Sequence, residues 1–421
     1  MVVEVTTKYS ILDSKGTEMI KRHLLLLIAI AVASASLSGC KSAPVAEKAK
    51  SKQLAFPPEP DEPRYYFERA ILKSTDVTEE AGDSVLTRAL TGAKKSAAGF
   101  AKPYAIAVHH GRIYVGDSAR RTVMVFDIPG KKFFQIGLEE NENGQGKLSK
   151  PLGIDIDKAG NVYVLDATLK LINVYTGDGE FIRSFGSPAQ LYKPAGLGVS
   201  SDGTRVYAVD IGGSSSNEHK IVVFNGITGE YLSTIGERGG GPGQFNLPRD
   251  VTVAPDGTIY VVDGGNFRVQ KFNKDQQFVS MFGSIGRQAG QFSRPKEAAV
   301  DPSGNLYVVD TIFGNFQIFN PEGQLLMSIG QRSNTNGPAL YSLPSGIAID
   351  DDGRVYVVDQ FFKRVDIFRP ASLPEDGGWI GKFNPKLATL ELIQPTASPA
   401  DSASNVEPSD AAPASPPPAS N

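Results

Sequence analysis

The sequence predicts an all-β protein, a six-bladed β-propeller of four-stranded antiparallel blades. One phrase, Pro-x-x-ϕ-ϕ-ϕ-x-x-x-Gly-x-ϕ-Tyr-Val-x-Asp with ϕ apolar, is written six times with small variations. Its opening prolines, Pro103, Pro151, Pro194, Pro248, Pro295 and Pro344, stand 48, 43, 54, 47 and 49 residues apart, a period that suits propeller blades. Each period holds several short strand patterns. One such sheet cannot bury both of its faces, whereas six stacked in a ring can, leaving only short edges.

The fourth copy shows the elements in order. Asp250 to Ala254 is a short apolar strand, a. Pro255-Asp256-Gly257 is a turn, with Gly free to take positive φ. Thr258 to Val262 is a nearly continuous apolar strand, b, the pattern of a strand covered on both faces. Arg268 to Phe272 alternates as strand c, and Gln277 to Phe282 is strand d. The Asp that closes each strand b (Asp117, Asp166, Asp210, Asp263, Asp310, Asp359) recurs in every copy. Such recurrence predicts a turn cap that accepts backbone amides, not chemistry.

The motif GxϕYVxDxxxxRVQKF and its variants resemble NHL repeats, and six copies resemble the six-bladed NHL propeller, over residues from about Arg64 to Phe368. The resemblance implies fold more than function. Such propellers include protein-binding and RNA-binding modules, sensor domains and a few metal-dependent lyases and hydrolases.

The ends carry a second signal. Lys21-Arg22-His23 precedes an apolar run from Leu24 to Ala33, and Leu37-Ser38-Gly39-Cys40 follows. This is the pattern of a secretory signal peptide, and Leu-Ser-Gly-Cys resembles a bacterial lipobox. Residues 1–39 are expected to be the signal, with 1–18 an artefact of start-site choice because Met19 lies just before the basic cluster. Cys40, the only cysteine, is expected to be lipidated. Lys41 after it resembles the sorting signal for the outer membrane of Gram-negative bacteria. Residues 40–63 read as a flexible tether, of about 25–30 Å r.m.s.. The propeller is assigned to 64–370, a C-terminal extension with the only tryptophan, Trp379, to 371–393, and a disordered Pro/Ala/Ser-rich tail to 394–421. A formal net charge of −3 argues against polyanion binding by the protein as a whole, and no nucleic-acid partner is expected.

The sixth copy lacks a strand d after Phe368, whereas Arg64 to Leu72, before the first copy, is strand-like. This segment is expected to serve as the outer strand of blade six and close the ring. The a–b and c–d hairpins then share one face, and the b–c and d–a loops share the other, where recognition is expected. Strand entry at Arg64 would attach the tether on the hairpin face. The longest d–a loop, Lys73 to Lys102, contains a short helical pattern from Ser84 to Gly92.

Function is sought where copies differ. The residue two after the opening Pro is Ala105, Gly153, Gly196, Asp250, Glu297 or Gly346. Asp250 and Glu297 mark either a cation or substrate site at the channel mouth, calcium being the candidate, or a pair of solvated salt bridges with Arg249 and Lys296. The b–c loops of blades four to six are rich in aromatic and basic residues: Phe267, Arg268, Phe313, Phe316, Phe361, Phe362, Lys363 and Arg364. Some of these phenylalanines must pack between blades; the rest are candidate partner-binding anchors. The glycine-rich d–a loops, such as GGGPGQFNLP, lack the Lys-Ser/Thr and following helix of a P-loop. His109 and His110 fall in the a–b hairpin of blade one and His219 in the b–c loop of blade three, so the three cannot converge as a three-His metal site. No nucleophile elbow and no haem motif occurs.

The sequence therefore points to a monomeric, exported, lipid-anchored and non-enzymatic propeller without a cofactor. Its loop face is expected to bind another envelope protein or complex. Family resemblance suggests an electron-transfer assembly among the possible partners. The alternative is a calcium-assisted hydrolase or lyase at the channel mouth.

Overall fold

The structure, a computed structural model, describes residues 53–78, 97–213 and 216–381. The propeller lies within the compact unit Leu54–Asn421. It has six antiparallel blades, each strand paired with its neighbour in the order a-b-c-d. Blade four runs Asp250–Val253, Ile259–Asp263, Arg268–Phe272 and Phe278–Phe282. Strands b and c are almost wholly buried and strand d is largely exposed, because b and c lie between neighbouring blades while d forms the rim. Interblade clusters such as Tyr207, Val209, Ile221, Phe245, Val261 and Phe272 make the core.

The repeated Tyr of strand b lies in these interfaces with its hydroxyl satisfied. Tyr163, Tyr307 and Tyr356 donate to Asp157, Asp301 and Asp350 of the a–b turns at 3.1, 3.0 and 2.8 Å. Each of those carboxylates also accepts amides of its own turn, as Asp301 does from Ser303 and Asn305. The Asp closing strand b is a turn cap. Asp310 accepts the amides of Ser293, Arg294, Ile312 and Phe313, tying its d–a loop to its b–c turn. Asp117, Asp166 and Asp359 do the same in their blades.

Ring closure follows the expected pairing. Tyr65–Ile71 lies antiparallel to Arg364–Pro370, with Tyr65 opposite Pro370 and Ile71 opposite Val365. The junction is locked by Arg354, whose Nε donates to Glu68 at 2.8 Å and whose Nη2 donates to the Gly377 carbonyl at 2.8 Å. Arg354 is fully buried, which a guanidinium tolerates only when paired.

Two boundaries differ from expectation. Residues 54–63 are not a tether: Ala55–Phe56 adds a fifth strand beside Tyr65–Tyr66, and Phe56 packs edge-on against Phe368. This strand runs antiparallel to its neighbour, and Leu54 accepts from the Phe67 amide. The chain therefore enters the described propeller along the outer edge of blade six, beside the hairpin end of its outer strand. The extension after Pro370 has a place: Trp379 and Ile380 are buried against blades one and six, and the Trp379 amide donates to Asp352. The signal segment, Cys40, the helical pattern at 84–92 and the tail from residue 382 lie outside the described residues.

Candidate functional site

The six inner strands enclose an axial cavity of about 590 Å³. Its wall runs from Ala105, Gly153, Asp250 and Glu297 near the loop face to His109, Lys158 and Asp351 at the hairpins. Five carboxylates line it, and three of them stand on the inner strands: Asp155, Asp250 and Glu297. Each reaches sideways to an amide of another blade. Asp155 accepts from Val199 at 2.7 Å, Asp250 from Ala298 at 3.0 Å, and Glu297 from Ile347 at 3.3 Å. For Ala298 and Ile347 the physical reason is register. Pairing between strands a and b shifts between Pro295 and Ala298 and between Pro344 and Ile347. Amides left outside the ladder need an acceptor, and the neighbouring carboxylate supplies it.

Burial pushes Asp155 up to about 7 and Asp250 up to about 8, against the pull of these amide bonds. Glu297 is raised too, by burial and then by Asp250. Glycine at the equivalent positions reflects close approach: a Cβ on Gly196 would meet the Arg249 carbonyl oxygen and Asp250 Oδ1, both at 2.6 Å.

These facts correct one sequence reading of Asp250 and Glu297. They are not solvated salt bridges, since both are buried and neither pairs with a cation within 4 Å among the described residues. A calcium ion takes six to eight oxygen ligands, and one oxygen of each carboxylate, Asp250 Oδ2 and Glu297 Oε1, already accepts an amide. Among the described residues no three His, Cys, Asp or Glu side chains gather as a metal site.

At the loop-face end, Lys296 Nζ lies 4.0 Å from the centre of the Tyr104 ring, so blade five reaches over blade six to blade one. Burial drives Tyr104 up to about 12, and burial lowers Lys296 to about 7 despite the opposing influence of Glu297. At the hairpin end, Trp379 stacks on His110 at 4.1 Å and His110 on His109 at 3.8 Å. Burial and the adjacent His110 hold His109 down at about 4. His219 sits elsewhere, buried between the Phe245 carbonyl and the Leu247 amide.

The aromatic–basic loops divide into buried and exposed members. Arg268, Phe316 and Arg364 are buried and cannot act as surface anchors. Arg268 donates to Asp263 and to the carbonyls of Gly240, Gly241 and Gln244, so it is the internal scaffold of the glycine-rich loop. Arg364 does the same for the d–a loop between blades five and six through Gly337, Leu340 and Asp366. Phe316 packs against Phe368 between blades five and six. Phe267 is half-buried against the core shared by blades four and five. Phe361 is 61% exposed and leans on half-buried Phe362; Lys363 is exposed and Phe313 half-buried. Sequence reasoning missed their exposed apolar neighbours Ile285, Ile312 and Leu343. Leu343 was findable, because it and Leu247 precede the opening Pro where the other four copies carry Lys or Arg.

Comparison with known proteins bears on this geometry. A family profile described as "NHL repeat" matches residues 245–272, which is blade four from its entry loop to the end of strand c. A second, described as "6-bladed beta-propeller", matches residues 95–192. The chain carries an NHL repeat in blade four and folds as a six-bladed β-propeller. It is 33% identical over 113 residues to human NHL repeat-containing protein 3, which covers 25% of this chain and 31% of that protein. The mouse counterpart is 32% identical over 113 residues, with the same coverage. The match thus spans about a third of those relatives. A solved structure from Bacteroides thetaiotaomicron, described as a protein of unknown function, aligns with a TM-score of 0.50 at 20% identity, over 65% of this chain and 70% of that one. That likeness shows the fold alone.

Proposed function

We propose that this NHL-repeat propeller is a non-enzymatic, lipid-anchored envelope protein whose loop-face rim on blades five and six docks another envelope protein or complex. The observation that carries the reading is Phe361, exposed beside Lys363 and in the same set of loops as Ile312 and Leu343. Large apolar side chains edged by cations are what interface anchors consist of. The basic cluster, apolar run and Leu37-Ser38-Gly39-Cys40 support export and anchoring, with the outer membrane of a Gram-negative bacterium as the favoured site. An electron-transfer assembly is one class of partner that family resemblance suggests.

The test compares tagged, detergent-extracted wild type with Phe361→Ala/Lys363→Ala and with Tyr231→Ala, an exposed residue on the outer strand of blade three. Truncating an interface anchor costs about 2 kcal/mol or more, roughly thirtyfold in affinity. A partner lost from the rim variant and kept by Tyr231→Ala supports the reading. Equal recovery from all three overturns it.

A further inference from the structure

The net charge of −3 conceals a cationic mouth. Lys102, Lys150, Lys193, Arg249 and Arg294 immediately precede the inner strands of blades one to five, and Lys296 is the second residue of that of blade five. All six therefore stand at the loop-face end of strands that surround the axis. None forms an ion pair with a described residue. Asp250 and Glu297 at this end are buried, bound to amides and biased toward their neutral forms. The strand-b caps Asp117 and Asp310 lie here too, accepting the backbone amides of Lys102 and Arg294. The side-chain cations of blades four, five and one converge at the mouth of a narrow cavity, where low-dielectric walls focus the field.

We propose that this mouth is an oxyanion-binding site, in which Arg249, Arg294, Lys296 and Lys102 receive the carboxylate or phosphate groups of a multiply charged small ligand. Arginine presents a planar fork that matches either oxyanion, and Lys296 adds a point charge held in place over Tyr104. The site is independent of the rim at Phe361 and requires no partner protein.

The site has a proton signature. Lys296 titrates near 7, held down by burial and by Arg294, Arg249 and Lys102, against the pull of Glu297. A bound anion favours its charged form, so binding takes up a proton at pH 8. Affinity falls as pH rises through 7, and ionisation of Glu297 or Asp250 at higher pH pushes in the same direction.

Titration calorimetry with citrate and with inorganic phosphate tests the site at pH 6.5 and 8.0, in buffers of different ionisation enthalpy. The wild type is expected to bind at least one of the two saturably, more tightly at pH 6.5, with proton uptake at pH 8.0. Citrate and phosphate separate the carboxylate from the phosphate form of the ligand. Arg249→Ala/Arg294→Ala is expected to lose at least tenfold in affinity. Lys296→Met is expected to reduce proton uptake to the share that Asp250 and Glu297 contribute, a readout that mere structural damage would not change selectively. Thermal melts confirm that the variants are folded, and Lys102→Ala, at an exposed position, serves if they are not. The proposal is overturned if neither anion saturates the wild type, if affinity is unchanged in the double variant, or if proton uptake is undiminished in Lys296→Met.

Discussion

Removing Glu68 should weaken the ring at its seam. Glu68 lies on the closing strand, and its Oε2 accepts from Arg354 Nε at 2.8 Å. Arg354 has no exposed surface, and its remaining partners are Asp352 at 3.6 Å and the Gly377 carbonyl at 2.8 Å. Breaking one side of a buried pair costs about 3–5 kcal/mol, because the other charge stays buried. Asp352 compensates in part, so the lower end, about 3 kcal/mol, is expected for Glu68→Ala. With roughly 300 ordered residues and about 2 cal/mol/K of unfolding entropy per residue, the melting temperature should fall by about 4–5 °C. The loss should persist in 0.5 M salt, since a buried pair is poorly screened. Glu68→Ala/Arg354→Met should recover most of it, because the orphaned charge is gone. Urea and thermal unfolding followed by circular dichroism measure all three proteins. A Glu68→Ala protein that melts within about 1 °C of wild type would refute the reasoning, as would a double variant less stable than both single ones.

Stability should also depend on pH through the channel. Asp250 and Asp155 have folded values of about 8 and about 7, above the ordinary 3.8, so the folded state binds more protons between these limits. The stability linked to them is present below about pH 4 and is lost as pH rises through 7 to 8. Asp250→Asn keeps an acceptor for the Ala298 amide, and its urea midpoint should fall less between pH 5 and 8 than that of wild type; parallel profiles would count against the raised value. Arg364→Ala should destabilise by about 3 kcal/mol by orphaning Asp366 and loop carbonyls, while exposed Phe361→Ala stays within about 0.5 kcal/mol. Near-equal unfolding of the two would contradict the division between buried and exposed members of the b–c loops. Cys40→Ala should leave the protein soluble after lysis, whereas wild type partitions with membranes and takes up labelled fatty acid. Equal solubility would end the lipid-anchor reading.

What the sequence makes legible is what the copies share. Tyr and Asp recur at fixed offsets because each blade must satisfy the same hydroxyl and the same loop amides, and six repetitions separate architecture from chemistry. The closing strand was legible for a related reason: an absent strand d in the last copy has to be supplied from elsewhere. The candidate site was less legible, because differences between copies mix two physical causes. Arg268 and Arg364 look like an exposed basic patch, yet each binds carbonyls of the d–a loop lying beside it, a partner 24 to 28 residues away that no local pattern reveals. Gln270 and Gln317 show the same device two residues further on, taking the Gly243 and Gly290 amides and returning bonds to Gln244 and Gln291. A long glycine-rich loop carries many backbone groups and few side chains, so its neighbour must supply the polar partners. A polar residue in strand c that accompanies such a loop is therefore read first as that loop's scaffold. The same logic recasts Asp250 and Glu297, whose carboxylates serve amides that register shifts leave outside the ladder. After these internal roles are assigned, the cations at the axial mouth, which form no ion pair with a described residue, and the exposed apolar rim around Phe361 are where function is to be sought.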